Sequence, residues 1–391
     1  MSSHKDFENY IENVYSFKKM FKDKCSVFNI ENQPHVLPIV ERIIVIGDVH
    51  GDLKMMLKVL KLSKVIDDNE DWIGGETVVV QVGDQIDRCR YNGVPCNLKG
   101  ATYKDEGNDW VILKYFTKLH QQAQKHGGAV YSLLGNHELM NVNGDFRYVS
   151  YEGLREFDNL TFEELSSTDD VYENKIISQI KKTEVKFSDG EEARRWAFAP
   201  GNPISEFLAC SRQMALIIGP YLFVHAGVLP TIAKKYSVKS LNQLMSLYLF
   251  DLLKNKAEYH DIFSSSDVSP LWNRVFGNMG KTLNTSEESD NSACESLLKP
   301  LNKIYKVDKI FVGHTPMLEH GISNVCNGKI WLTDYGLSKA FDIFEKKSET
   351  DSESYDRRST REAQVLEILN IKQVDKETKK ETYKETINIL K

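Results

Sequence analysis

Five apolar runs of this chain end in short motifs that combine a glycine with a side chain able to bind a metal ion. The motifs are GDVHGD from Gly47, GDQIDR from Gly83, GNHE from Gly135, VHAG from Val224 and GHT from Gly313. The runs before them are rich in β-branched and aromatic residues without polar alternation, which predicts buried parallel strands. Their ends should gather six side chains along one rim: Asp48, His50, Asp84, Asn136, His225 and His314.

Carboxylate, amide and imidazole side chains together favour divalent manganese, iron or zinc over calcium. Asp48 and His50 stand on alternate residues at a strand end, so both can turn toward one ion. Asp84 has two oxygens and can bridge ions about 3.5 to 4 Å apart, the separation that two-metal hydrolases use. The second ion would be completed by Asn136, His225 and His314. The set therefore predicts a two-metal phosphoesterase site.

Each motif alone is weak evidence, since Gly-Asn-His or Gly-His-Thr arises by chance and a single strand-end histidine is usually only hydrogen-bonded. The five motifs together are stronger evidence, because five strand ends would have to finish in a glycine and a ligand without any function. The joint pattern favours a metal site over five unrelated structural features.

Composition narrows the possible partners. The chain has 391 residues, 41% of them hydrophobic, and a formal net charge of -6. An acidic chain without a basic stripe argues against nucleic acid as a partner. No apolar stretch reaches the roughly 18 to 20 residues of a membrane span, and the N-terminus lacks the features of a signal peptide. We therefore expect a cytoplasmic protein without a membrane partner.

The cysteines show no framework spacing. The six are Cys25, Cys89, Cys96, Cys210, Cys294 and Cys326. Scattered cysteines of this kind predict reduced thiols rather than disulfides. A zinc site at the close pair Cys89 and Cys96 would need two further ligands, so loop cysteines are the simpler interpretation.

Strand-like and helix-like segments alternate, which predicts an α/β fold. Asp52 and Asn108 are predicted to cap the helices that follow two of the strands. Two insertions, about 89–107 and 154–195, are expected to border the site, the second as a helical cap, and to influence substrate choice. The predicted regions are a lead-in over 1–40 with a helix from Phe7 to Phe21, a catalytic domain over 41–345, and 346–391 with a charged linker, a strand at Val365–Leu369 and a helical or frayed tail.

The ordered motifs resemble those of the calcineurin-like metallophosphoesterase superfamily, and within it the phosphoprotein phosphatase branch. The segments GNHELMNVNGDFRYV and SPLWNR resemble the Shewanella-like phosphatases more than the eukaryotic Ser/Thr enzymes. The resemblance runs from about Glu41 to Ser338. It implies a four-layered β-sandwich flanked by helices, a refinement that periodicity alone does not provide.

The resemblance also implies a specific role for each of the site residues. Asp48, His50 and Asp84 would hold one ion; Asp84, Asn136, His225 and His314 would hold the other. A bridging hydroxide would then attack phosphorus directly. His137 occupies the position that protonates the leaving group, and Asp87 would orient its imidazole. A third metal ligand or a surface group is the alternative for His137.

Phosphate binding is expected from Arg88, whose guanidinium can pair with two phosphoryl oxygens. The resemblance implies Arg274 as a second arginine, and Asn136 is a further candidate. Arg147 and Arg212 are weaker alternatives, Arg274 could instead form an ordinary ion pair, and Asp334 is expected to support the metal ligands. One departure from the family pattern is Cys89 and the long loop after it, where many relatives have glycine. This loop could reshape the substrate groove.

The leading functional prediction is a phosphoprotein phosphatase that acts on pSer/pThr or pTyr with two divalent ions, Mn or Fe/Zn. Its partner would be a phosphoprotein or phosphopeptide, and the resemblance implies nothing about regulatory subunits. A dinucleoside polyphosphate hydrolase or another small-molecule phosphoesterase would use the same ligands. A non-catalytic scaffold that binds phosphorylated partners is the third possibility.

Overall fold

Two six-stranded sheets flanked by helices form the centre of the protein. The computed structural model describes residues 4–30, 33–162, 165–166, 168–282, 291–344, 361–374 and 381–391. Fully buried side chains from both sheets, such as Val79 and Phe223, belong to one core cluster. This mixed α/β architecture agrees with the sandwich that the resemblance implied.

The strands that precede the predicted ligand residues belong to two different sheets. In chain order they are β1 Val36–Leu37, β2 Arg42–Ile46, β3 Val78–Gln81, β4 Ala129–Leu133, β5 Arg212–Gln213, β6 Ala215–Ile218, β7 Tyr221–Val224, β8 Lys309–Val312, β9 Ser323–Val325, β10 Ile330–Leu332, β11 Val365–Val374 and β12 Glu381–Leu390. One sheet has the order β12-β11-β2-β3-β4-β5, and the other β1-β6-β7-β8-β10-β9. The five predicted strands are confirmed as β2, β3, β4, β7 and β8. β2, β3 and β4 are parallel neighbours in one sheet, and β7 and β8 in the other.

Helices cover the sandwich and fill the predicted cap. They are α1 His4–Tyr15, α2 Phe17–Cys25, α3 Leu53–Leu62, α4 Asp109–Gln124, α5 Asn136–Val142, α6 Tyr151–Arg155, α7 Val171–Thr183, α8 Gly190–Phe198, α9 Pro203–Ser211, α10 Pro230–Lys235, α11 Val238–Leu249, α12 His260–Phe263, α13 Val275–Thr282 and α14 Asn291–Tyr305. Asp52 caps α3 as predicted, its Oδ1 accepting from Met55 N at 3.0 Å. Asn108 makes no such bond at α4. Glu156 caps that helix instead, accepting from Trp110 N at 2.9 Å.

The lead-in packs on the body of the protein. The predicted single helix is interrupted at Ser16, whose φ of 47° separates α1 from α2. Ile11, Phe17 and Phe21 are buried in the core. β1 then pairs in parallel with β6, which joins the lead-in to one of the sheets.

The prediction of reduced thiols is wrong for this structure. All six cysteines are paired, in the disulfides Cys25–Cys210, Cys89–Cys96 and Cys294–Cys326. The partners of two of these bonds are 185 and 32 residues apart in sequence. Spacing along the chain carries no information about such pairs, because the fold alone brings them together.

The C-terminus extends the first sheet. β11 pairs antiparallel with β2, which confirms the predicted last strand, and β12 pairs antiparallel with β11 along its whole length. The expectation of a helix or frayed tail is therefore wrong for 381–390. Tyr383, Ile387 and Ile389 alternate with polar residues, a period-2 pattern that the many charges obscure. The predicted linker, residues 346–361, lies outside the described part of the chain except for Arg361.

Candidate active site

The five motifs converge on one buried site. Nε2 of His225 lies 3.3 Å from Asp84 Oδ2 and 3.0 Å from Asn136 Oδ1. Asp48 Oδ2 accepts from the backbone N–H of His314 at 3.0 Å. All the predicted ligands are at most 5% exposed. The structure therefore brings together the side chains that the sequence singled out as a set.

Two motif glycines make this convergence sterically possible. A Cβ on Gly135 would lie 2.0 Å from Asp84 Oδ1, and one on Gly313 would lie 2.1 Å from Asp48 Oδ1. Both distances are well inside van der Waals contact. Any side chain at either position would displace the neighbouring carboxylate, which explains the glycine in GNHE and GHT.

Asp84 lies between two groups of potential metal ligands. It groups with His50 and His137 on one side and with His225 and His314 on the other, with ligand atoms within 4.8 Å of one another in each group. Nε2 of His50 and Nε2 of His137 each lie 3.8 Å from Asp84 Oδ2. A carboxylate placed between two pairs of imidazoles has the position expected of a bridging ligand.

Backbone carbonyls determine which nitrogen of each histidine is available. A carbonyl oxygen only accepts hydrogen bonds, so the ring nitrogen facing it carries the hydrogen, and the other nitrogen of a neutral ring has a lone pair for a metal. The pairs are His50 Nδ1 with Ile86 O at 3.2 Å, His225 Nδ1 with Val82 O at 2.9 Å, and His314 Nε2 with Trp272 O at 3.1 Å.

The charge state of the site suits cations. Burial lowers the pKa of His50 and of His314 well below its usual value, so both rings are neutral at pH 7. Burial, together with the charges of Asp334 and Asp84, raises the pKa of Asp48. Asp48 Oδ1 and Asp334 Oδ2 are buried and find no hydrogen-bond partner among the described residues. Buried carboxylate oxygens without partners are costly, and divalent ions would satisfy them.

His225 provides a second indication of a cation site. Because its Nδ1–H donates to Val82, a neutral ring would direct its Nε2 lone pair at two further acceptors, Asn136 Oδ1 and Asp84 Oδ2. Burial works to lower the pKa of His225, but the Asp84 carboxylate raises it above its usual value, so a proton can occupy this position. A metal ion would replace that proton, and the donor set fits it.

Four site residues have left-handed backbone conformations. The φ angles are 46° at His50, 51° at Asp84, 72° at Asp87 and 66° at His314. Such conformations cost about 1 to 3 kcal/mol for residues other than glycine and persist only where the surrounding structure holds them. Part of the folding free energy is therefore used to aim these side chains before any ligand binds.

His137 and Asp87 form the expected pair. Nδ1 of His137 lies 2.7 Å from Asp87 Oδ2, so its hydrogen is held by the carboxylate and Nε2 is left to exchange a proton. His137 is the second residue of α5, and its backbone N–H donates to Asp84 Oδ1 at 3.0 Å. The contact with Asp84 is also why His137 belongs to a potential ligand group.

A buried network behind Asp87 was missed in the sequence. Asn141 donates to Asp87 Oδ1 at 2.8 Å and accepts from Arg194 Nε at 2.9 Å. Arg194 is fully buried and forms an ion pair with Asp109 at 2.8 Å. Asn141 follows His137 by four residues on a helix, a spacing that could have revealed it. Arg194 lies in the 154–195 insertion and had no comparable signal.

Glu138 is a second residue that was missed. It is fully buried, and its carboxylate accepts from the backbone N–H groups of Gly135 at 2.6 Å, Gln85 at 2.7 Å and Asp84 at 3.1 Å. Burial and the charge of Asp84 raise its pKa to about 7. Glu138 thus joins the GDQIDR turn to the GNHE helix, and the last letter of GNHE was the available signal.

Arg88 lies in the interior of the protein. It is 2% exposed, its Nη1 forms a 2.8 Å ion pair with Asp52, and its remaining hydrogen bonds go to the carbonyls of Gly51 and Lys104. Asp52 itself is equally buried. In this arrangement Nη1 and Nη2 of Arg88 support the turn after β2, while its buried Nε has no hydrogen-bond partner among the described residues.

The other predicted arginines differ in exposure. Arg274 is exposed and donates to His314 O at 3.0 Å, so it stands beside the second ligand group. Arg212 is buried and bonded to Gln85, and Arg147 is an exposed arginine paired with Asp145. Asp334 is 1% exposed and influences the charge of Asp48. Arg274 is the arginine of these three that bonds to a predicted metal ligand, which keeps it a candidate for phosphate binding.

Comparisons with known proteins agree with this site. The sequence profile of the calcineurin-like phosphoesterases matches residues 41–318, and the chain belongs to that family. The family and the ligand groups together make it a metal-dependent phosphatase.

Individual proteins of known sequence or structure resemble the chain over most of its length or most of their own. The chain is similar to Shewanella-like protein phosphatase 2 of Arabidopsis thaliana, with 30% identity over 311 residues, 76% of this chain and 72% of the relative. It is 37% identical over 253 residues to an uncharacterized protein of Acanthamoeba polyphaga mimivirus, which covers 60% of this chain and 90% of that protein. A cold-active protein-tyrosine phosphatase of a psychrophilic Shewanella species matches in fold, with a TM-score of 0.57 at 18% identity over 92% of this chain and 83% of that one.

Proposed function

We propose that this protein is a phosphoprotein phosphatase that hydrolyses phosphomonoesters on Ser/Thr or Tyr side chains with two divalent ions. The observation that carries the proposal is Asp84, whose carboxylate faces His50 and His137 on one side and His225 and His314 on the other. When bound, manganese, iron or zinc ions at this pair of positions would activate a bridging water and neutralise charge on the phosphoryl oxygens.

The residues around the ions supply the rest of the chemistry. His137 holds a proton on Nε2 that it can give to the leaving oxygen, because Asp87 fixes the hydrogen on Nδ1 and stabilises the charged ring. Asn136, at the start of the same helix, contributes a ligand oxygen. The site itself is buried, which strengthens its electrostatic interactions with a bound phosphoryl group.

A phosphoprotein substrate is supported by the similarity to the Arabidopsis relative, which is named a protein phosphatase. The choice between phosphorylated side chains would depend on the 89–107 loop and on the 154–195 insertion, whose Arg194 lies 3.6 Å from Asp87. The many surface carboxylates of an acidic chain disfavour a polyanionic substrate.

The cellular compartment is a further part of the proposal. None of the helices in the described ranges is long and apolar enough to cross a membrane. Three disulfides are more typical of an oxidising compartment than of the cytosol. We therefore infer an oxidising environment in place of the cytoplasmic location that was expected from the lack of a membrane span and of signal-peptide features.

The test is hydrolysis of pSer, pThr and pTyr peptides and of a dinucleoside polyphosphate with added manganese. Wild type, Asp84→Asn and the surface control Asp68→Asn would be compared; Asp68 is fully exposed. We expect turnover of phosphopeptides by wild type and control, and a loss of roughly 10³-fold in kcat for Asp84→Asn. If the protein cleaved the dinucleoside polyphosphate faster than every phosphopeptide, its substrate would be a small molecule rather than a phosphoprotein. Absence of turnover even with an aryl phosphate would contradict a catalytic role.

A further inference from the structure

A cavity outside the metal site lies between the lead-in, α4 and the start of β5. Its volume is about 400 Å³, which is in the range of small-molecule sites. Phe116 and Ile30 give it an apolar part, and Gln33, His120 and Arg212 contribute polar groups. None of the described residues that line it is a predicted metal ligand. The cavity is therefore a second concave space with its own set of side chains.

The charged side chains around this cavity are positive. Arg212 and Lys125 line it, whereas none of its described lining residues is an aspartate or a glutamate. The chain as a whole has 56 acidic and 50 basic residues, so this wall has the opposite balance of charge. Lys125 follows α4 and is exposed, and Arg212 is buried. The cavity thus has an electrostatic environment that favours an anion.

Arg212 contributes an uncompensated charge to the cavity. It is 4% exposed, and its guanidinium makes five hydrogen bonds, all to neutral acceptors. The acceptors are Gln85 Oε1 at 2.9 and 3.1 Å, Leu113 O at 2.7 Å, Thr117 Oγ1 at 2.8 Å and Ser211 O at 3.3 Å. A charge buried among neutral partners acts strongly on its surroundings, because little water screens it. An anion in the cavity would supply the missing opposite charge.

Two other lining side chains have polar atoms without partners. The backbone N–H of Val130 donates to His120 Nδ1 at 3.2 Å, and burial lowers the pKa of His120 to about 4, so at pH 7 the neutral ring carries its hydrogen on Nε2. This N–H has no acceptor among the described residues. Gln33 is 8% exposed, and its buried Oε1 has no partner either. A ligand that accepts from His120 and donates to Gln33 would satisfy both atoms.

We propose that this cavity binds a small organic carboxylate with a short apolar body and a hydroxyl or amino group. The carboxylate would accept from His120 in the field of Arg212, the body would pack on Phe116, and the hydroxyl or amino group would donate to Gln33. A single carboxylate charge matches a single buried guanidinium, whereas a phosphate dianion would need more free donors than these residues offer. The site does not depend on the phosphatase function proposed above.

The test is calorimetric titration of the full-length chain with 4-hydroxybenzoate and with the neutral 4-hydroxybenzamide, which has the same shape. Saturating inorganic phosphate and manganese would be present to occupy the metal site. The cavity variants are Gln33→Leu, which removes an amide oxygen without a partner, and Lys125→Gln. The control is Lys118→Gln, an exposed lysine of α4 outside the cavity. Arg212 is left intact because it also bonds to Gln85 in the GDQIDR turn.

We expect wild type to bind 4-hydroxybenzoate with a Kd on the order of 1 mM and the neutral amide roughly tenfold more weakly. Gln33→Leu should weaken carboxylate binding roughly 3- to 10-fold, the effect of losing one hydrogen bond. Lys125→Gln should weaken it about 2- to 5-fold, as expected of an exposed charge. Lys118→Gln should match wild type.

Crystals soaked with 4-hydroxybenzoate would locate the probe, and we expect its carboxylate beside His120. Three results would overturn the proposal. They are equal affinity of wild type for the two probes, affinity for the carboxylate unchanged in both cavity variants, and no binding by wild type at about 10 mM.

Discussion

The contact between His137 and Asp87 favours a role for His137 as a general acid rather than as a metal ligand. The imidazole is oriented by a 2.7 Å contact between Nδ1 and Asp87, and its Nε2 is 3.8 Å from Asp84. We expect His137→Asn to lower kcat by roughly 10² to 10⁴ while leaving metal content intact. The measurement is hydrolysis of an alkyl phosphate and of p-nitrophenyl phosphate by the same metal-loaded protein.

The leaving group separates the two roles of His137. An alkoxide needs a proton far more than nitrophenolate does, so the loss should be larger for the alkyl phosphate. Equal losses on both substrates, accompanied by a fall in bound metal, would mean that His137 is a ligand.

Residue types predicted which side chains converge, because each follows a buried strand and most stand beside a glycine. Arg88 shows the limit of that reasoning. The sequence contains Arg88 and Arg90 in one short segment, and only the structure shows that Asp52 holds the first while the second lies against Phe341 and Tyr148. Side-chain direction depends on the left-handed turn at Asp87, which the residue type does not reveal.

Arg194 of helix α8 supports the His137–Asp87 pair through buried contacts with Asp87 and its neighbours. This guanidinium is fully buried between Asp109 and Asn141 and lies 3.6 Å from Asp87. Removing one partner of a buried ion pair typically costs about 3 to 5 kcal/mol, because the remaining charge stays buried. We therefore expect Arg194→Met to lower the free energy of unfolding by about 3 kcal/mol or more, measured by urea denaturation.

The neighbouring residue provides a matched control for that measurement. Arg195 pairs with Glu191 on the surface and is 49% exposed. Arg195→Met should change the free energy of unfolding by less than about 1 kcal/mol. If both variants were destabilised equally, the buried network would have no special contribution.

Elements were predictable where one pattern dominated. Continuous apolar runs identified β2, β3, β4, β7 and β8, whereas β12 was missed because charged residues mask its alternation. The cap of α4 was misassigned for a different reason. Glu156, which caps it, is 46 residues further along the chain than Trp110, and local sequence cannot report such a contact.

At the level of the whole molecule, two of the three disulfides join segments that are distant in sequence. Cys25–Cys210 links the lead-in to the helix before β5, and its two cysteines are separated by 185 positions in the sequence. Removing such a bond typically costs about 2 to 4 kcal/mol by freeing the unfolded chain. We expect the double variant Cys25→Ser/Cys210→Ser to lose stability by that amount in urea denaturation.

Thiol titration of the denatured protein tests the same pairing independently. Protein prepared without reductant should show no free thiols, and the Cys25→Ser/Cys210→Ser variant should show none either, because its remaining four cysteines stay paired. Six thiols in wild type would contradict the disulfides and restore the reduced state that the cysteine spacing suggested.

The division of the strands between two sheets also belongs to this scale. Periodicity marks a strand as buried but does not say which sheet contains it, so the α/β class followed from pattern and the sandwich only from resemblance. The site lies where ends of both sheets meet, with Asp84 after β3 and His225 after β7. Assigning β3 or β7 to the wrong place in the two sheets would therefore have predicted Asp84 and His225 to lie apart.

In the proposed site, Asp84 bridges two cations held by side chains from both sheets. Anomalous diffraction from manganese-soaked crystals tests this bridge. We expect two peaks about 3.5 to 4 Å apart, with Asp84 between them, His50 at one and His225 and His314 at the other. A single peak, or two peaks that share no ligand, would contradict it.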